Sequence, residues 1–133
     1  MQDQIRHAQK FIGIIGRALL GAYFLGPGIS KITGFSAMSD YMATHNVPMI
    51  PVLLVVTIIL QIGGGAALII DYRTQVVAFL LAGLTLGISL FMHDFWNDPA
   101  ETQNFVKNMA IMGGLMFVAS ATLDHKQPND EDV

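Results

Sequence analysis

Apolar residues fall into four long runs, at about 11–32, 51–70, 75–93 and 105–123, joined by short polar connections. The run at 51–70 carries no charged side chain. A helix needs about 20 mostly apolar residues to cross a bilayer, and each run is close to that length. Soluble cores rarely hold four such runs in so short a chain. The pattern predicts an all-α, integral membrane four-helix bundle, one transmembrane domain over residues 1–133, with a disordered acidic tail at 124–133.

The connections differ in length. The first begins Gly34-Phe35-Ser36 and is the longest, with room for a short interfacial helix near 37–44. Pro48 and Pro51 bracket the entry to the second run, where proline is tolerated in a first helical turn. Asp71-Tyr72-Arg73-Thr74 is a short polar turn, and Pro99 breaks the third connection. Arg6 and Lys10 before an apolar run imitate a signal peptide. The run exceeds the about 7–15 residues of a cleavable segment, and Arg17 interrupts it. A retained first helix is expected.

Composition agrees with a membrane protein. Charged residues make up 13% of the chain, against roughly 25% in soluble domains. Net charge is −3, with no basic stretch suited to nucleic acid. Cysteine is absent, which removes disulfides, thiolate metal sites and a thiol relay within this chain. Lys and Arg set orientation. Arg6, Lys10, Arg73 and Lys126 fall on one side of a four-span chain, and Lys31 and Lys107 on the other. The positive-inside rule then puts both termini in the cytoplasm. Tyr41 and Trp96 sit at the outer interface and Tyr72 at the inner one.

Close helix packing in lipid needs small residues. Ala18, Ala22 and Gly26 form one stripe, Gly83 and Gly87 a GxxxG pair, and Ala110 and Gly114 a third. The run Gly63-Gly64-Gly65-Ala66-Ala67 reads either as packing or as a groove wall for a flat ligand. Gly26-Pro27-Gly28 reads as a tolerated kink, or as a hinge or notch beside Lys31. A homo-oligomer fits the Gly83/Gly87 stripe unless the bundle itself uses it.

Ionisable and amide side chains inside a span are costly, so they face partners or cavities. Arg17 either snorkels, makes a structural hydrogen bond, or meets an anion. Gln61 either joins helices or binds a ligand carbonyl. Lys31, His93 and Lys107 share one end of the bundle under this topology, with Asp94, Trp96 and Asn108 beside them. Asp40, Asp94, Asp98 and Glu101 can pair them, which makes the cluster structural. The alternative is a site for an anionic or quinone-like head group, with histidine handling a proton. The candidate ligand-binding residues are therefore Lys31, Gln61, Gly64, His93, Trp96, Lys107, Asn108 and Arg17. No catalytic or metal-binding residue is assigned. No histidine pair suits haem, and HExxH, P-loop and GxGxxG patterns are missing. The eight methionines read as core filler. His7, His45 and His125 carry little signal.

These residues resemble the DoxX family of small four-helix bacterial inner-membrane proteins. The matching pieces are Arg17 with Phe24-Leu25-Gly26-Pro27-Gly28-Ile29-Ser30-Lys31-Ile32, then Gln61-Ile62-Gly63-Gly64-Gly65 and Arg73-Thr74. They continue with His93-Asp94-Phe95-Trp96 and Phe105-Val106-Lys107-Asn108-Met109-Ala110-Ile111-Met112-Gly113-Gly114. Gln61 stands where the family often has glutamate, so the resemblance implies no carboxylate chemistry there. Members are similar to subunits of thiosulfate:quinone oxidoreductases and to partners in redox-linked complexes. Relatives include methylamine-utilisation membrane proteins and surfeit-type cargo receptors. The resemblance implies an inner-membrane auxiliary subunit that binds a quinone or lipid-like molecule and works with redox-complex subunits, with no intrinsic cofactor. Two other classes stay open: a small carrier of a hydrophobic or anionic solute, and a ligand-free assembly partner. No enzyme class follows.

Overall fold

Each apolar run becomes a helix, and the polar connections become its ends. The computed structural model describes the backbone of residues 1–124 and the side chains of residues 1–120. The tail expected at 124–133 lies outside the described residues except for Asp124, which ends the last helix. The helices are α1 (Gln2–Thr33), α2 (Phe35–Thr44), α3 (Ile50–Ile70), α4 (Thr74–Met92) and α5 (Thr102–Asp124). A 3₁₀ turn at Pro99–Glu101 leads into α5. No strand occurs among the described residues. The long helices begin and end within a few residues of the apolar runs except at the N-terminus. There α1 begins well before the apolar run, because nothing between Gln2 and Lys10 breaks a helix and no apolar contact is needed to continue it.

The turns are tight. Asn46 and Met49 (φ 58° and 50°) turn the chain from α2 into α3, and Asp71 and Arg73 (φ 62° and 45°) turn it from α3 into α4. Pro27 lies inside α1, which continues through it to Thr33. Proline has no N–H, so the carbonyl one turn earlier, on Tyr23, loses its helical partner.

The long helices pack in pairs. α1 lies along α3 and α4 along α5, and a thinner contact between α3 and α4 joins the pairs. The α1–α3 approach is backbone on backbone. A Cβ on Gly65 would come 2.6 Å from the Gly21 carbonyl oxygen, and one on Gly28 would come 3.0 Å from the Gln61 Cβ. The close approach therefore runs through Gly21 and Gly28, whereas Ala22 of the expected stripe is exposed. Gly26 has open space around it. Among the described residues nothing approaches the added Cβ position at Gly83 or Gly87 either, so they leave that GxxxG pair unused.

Two apolar clusters fill the interior. One gathers Phe24, Leu68, Ala78, Leu81 and Leu115. The other gathers Met42, Leu54 and Met92 under α2. The outer faces carry Leu19, Ile59, Phe79 and Phe117, all exposed. Such a surface is untenable in water and natural in lipid. α1, α3 and α4 are each long and apolar enough to cross a membrane. α5 opens on Thr102-Gln103-Asn104 and carries Lys107 and Asn108, and it joins the bundle by packing along α4. Three of the four expected spans thus qualify by length and composition alone. The protein is an all-α integral membrane bundle.

Candidate functional site

Between the two apolar clusters lies a cavity of about 250 Å³. Every helix contributes at helical spacing. α1 brings Tyr23, Pro27 and Lys31; α3 brings Leu54, Thr57 and Gln61; α4 brings Thr85, Ile88 and Met92. Residues three to four apart share a helix face, so each triplet lines one wall. Asn108 of α5 and His93 at the end of α4 complete the wall, and Met38, Tyr41 and Met42 of α2 cover it. An open groove between α1 and α2 adjoins the cavity, sharing Pro27, Lys31, Met38 and Tyr41 with it.

The polar atoms of the lining are unequally satisfied. Thr85 Oγ1 donates to the Leu81 carbonyl within its own helix at 2.7 Å. Tyr23 OH donates to Asn108 Oδ1 at 3.1 Å and ties α1 to α5. Gln61 is 5% exposed, and its Oε1 has no hydrogen-bond partner. Such an orphaned buried acceptor costs about 1–3 kcal/mol. Lys31 is half-buried, and no carboxylate of the described residues lies within ion-pair distance of it.

His93 has a fixed partner. Its Nδ1 lies 2.7 Å from Glu101 Oε2, which also accepts from Asn104 Nδ2 at 2.9 Å. The Asn104 amide and then His93 hold the Glu101 carboxyl below its ordinary range. An ionised carboxylate only accepts, so Nδ1 carries the proton and the neutral ring keeps Nε2 as an acceptor. A second pair lies close by. His45 Nδ1 is 3.7 Å from Asp94 Oδ1, and Asn97 donates to Asp94 Oδ2 at 2.9 Å. That Asn97 bond is the chief reason the Asp94 carboxyl is depressed. Desolvation, then Glu101, Asp94 and Asp98, push the Tyr41 phenol up.

Of the residues singled out from sequence, Lys31, Gln61, His93 and Asn108 meet around the cavity. The other four stand apart. Lys107 is exposed and sits over the Tyr23 ring, 5.9 Å from its centroid, outside the wall that Tyr23 forms. Trp96 is exposed and stacks edge-on with Phe95 and Phe105. Gly64 faces Leu81, so it packs α3 on α4 and is not part of the cavity lining; Gly65 meets the α1 backbone. Arg17 lies at the far end. It donates to the Leu68 carbonyl at 3.2 Å and pairs with Asp71 at 3.4 Å, tying α1 to the C-terminus of α3.

Sequence reasoning missed Tyr23, Thr57 and Thr85. The signal was there in the polar and aromatic residues spaced at i, i+3/i+4 and i+7/i+8 with Lys31 and Gln61. Glu101 was among the carboxylates expected to pair the cluster, and it pairs with His93. His45 was hidden because its partner Asp94 lies across loops whose paths the sequence does not fix.

A lipid-facing bundle of four long helices, with a cavity walled by all of them and roofed by a short fifth, defines the class of this protein. The DoxX family profile matches residues 13–94, from α1 to the end of α4, and the chain belongs to that family. It is 32% identical over 108 residues to the inner membrane protein YqjF of Escherichia coli, covering 80% of each chain. It is 24% identical over 117 residues to the inner membrane protein YphA of the same organism, covering 84% of each. A surfeit locus protein 4 homolog of Schizosaccharomyces pombe is 26% identical over 122 residues, which take in 90% of this chain and 39% of that protein. No solved structure matches.

Proposed function

We propose that the cavity receives the ring of a quinone-like molecule, and that the chain serves a redox-linked complex of the inner membrane as an auxiliary subunit. The observation that carries this reading is the buried Gln61 side chain, whose amide makes no hydrogen bond among the described residues and can donate from Nε2 to a ring carbonyl, in a cavity with mostly apolar walls. Ligand sites are mostly apolar with a few convergent polar groups. An apolar cavity of about 150 Å³ holds a benzene molecule. A cavity of about 250 Å³ therefore suits one substituted ring and leaves no room for a long tail. The groove between α1 and α2 gives the tail a route to lipid. Electrons would be carried by a partner, since the chain has no cysteine and no haem-ligand pair. The relatives named as inner membrane proteins support the location, and the Lys and Arg distribution supports cytoplasmic termini.

The test is purification in mild detergent, reconstitution in nanodiscs and mass spectrometry of the organic extract, followed by titration with a decyl-benzoquinone. Retained quinone and saturable binding are expected. Gln61→Leu should weaken binding by about tenfold, the worth of one good hydrogen bond. No retained quinone and no saturable binding would overturn the reading.

A further inference from the structure

The lining offers a donor, a proton acceptor and an orphaned acceptor, and together they ask for more than a neutral carbonyl compound. We propose that the cavity binds a lipid-soluble phenol, such as the hydroquinone form of its ring ligand, and holds it as the anion, with the ring oxygen on Lys31 and its proton on His93. This rests on the ring-pocket reading above and specifies its ligand.

Lys31 is the one lysine or arginine of the lining, and no described carboxylate neutralises it. An unpaired cation beside apolar walls favours an anion. His93 is the one imidazole of the lining, which holds no carboxylate, and it is the base that can make one. Glu101 holds Nδ1 at 2.7 Å, so the free nitrogen, Nε2, is the one left to accept a proton. The ligand's O–H bond breaks and an Nε2–H bond forms. Neutral phenol and neutral imidazole become phenolate and imidazolium. The phenolate pairs with Lys31 and the imidazolium with Glu101, so the net charge of the four groups stays at zero. The second hydroxyl of a hydroquinone supplies the donor that Gln61 Oε1 lacks.

Magnitudes allow the transfer. In water a phenol near pKa 10 and a histidine near 6.5 are about 3.5 pH units apart, against transfer. Each close opposite charge shifts a group by about 1–3 units. The Lys31 ammonium beside the phenol oxygen closes most of the gap, and pairing of the phenolate with Lys31 holds the product. The other charged or titratable groups near His93 are Tyr23 on α1, Tyr41 on α2, His45 just after α2, and the adjoining Asp94. Asp94 is already engaged by Asn97 and His45. α3 presents only the neutral Thr57 and Gln61 to the cavity, and α5 the neutral Asn108.

The test uses the full chain in nanodiscs and a 4-decyl-2-nitrophenol, whose ionised form is yellow, beside decyl-benzoquinone. Binding should lower the ionisation midpoint of the nitrophenol by at least about one pH unit relative to empty nanodiscs. The ¹⁵N signal of His93, assigned by its loss in His93→Gln, should move to the imidazolium position when the probe binds. Lys31→Met should abolish the midpoint shift, and Lys31→Arg should keep it. If both probes bind but the nitrophenol stays neutral, this proposal fails and the ring pocket stands. If the probe ionises while His93 stays neutral, the proton assignment is wrong. If neither probe binds, the ring-pocket reading itself fails.

Discussion

Glu101 carries two hydrogen bonds on one oxygen, from Asn104 and from His93, and they hold its carboxyl below the ordinary range. A depressed carboxylate contributes stability above that range and loses it as pH falls through the depressed value. The wild-type melting temperature should therefore fall between about pH 5 and pH 3, and Glu101→Gln should flatten that fall. An unchanged slope in the variant would show that the pair contributes nothing. The same scale explains which site residues were legible. Lys31, Gln61 and His93 stand out because polar groups are costly in lipid, whatever their partners. Tyr23 lies within an apolar run and Thr85 can bond to its own helix, as it does, so neither announces a cavity. His45 looks idle in sequence; α2 carries it to Asp94.

At the scale of elements, the α1–α3 contact depends on the absence of two side chains. A Cβ on Gly65 would drive into the Gly21 carbonyl oxygen and the Leu25 nitrogen, at 2.6 and 2.9 Å. Backbone cannot rotate away as a side chain can, so Gly65→Ala should destabilise the bundle by about 1–3 kcal/mol. Gly83→Ala, with nothing near its added Cβ, should be tolerated. Unfolding in mixed micelles with a denaturing detergent measures both, and equal losses would refute the contact. The helices were legible because span length and apolar composition fix them. The packing stripe was not. Small residues recur on several faces of α1, and only the position of α3 decides that Gly21 and Gly28 are used while Ala22 and Gly26 face outward. Lys107 misled for the same reason: it shares an end with Lys31, yet its place on α5 puts it beyond Tyr23.

For the whole molecule, the absence of cysteine is an experimental advantage. Gln2→Cys and Asp98→Cys each introduce a single thiol at opposite ends of the bundle, both at exposed sites. A membrane-impermeant maleimide added to intact cells should label the second and spare the first until the membrane is opened. The reverse pattern would invert the orientation inferred from lysine and arginine. The pairing of helices also has a consequence for biosynthesis. α1 finds its main neighbour in α3 and α4 finds its own in α5, so each pair has its partners once the later helix leaves the ribosome. The first pair can assemble while the second is still being translated. The cavity needs Asn108, which arrives with α5. A nascent chain therefore acquires its fold in instalments, and its cavity is complete only once α5 has been made.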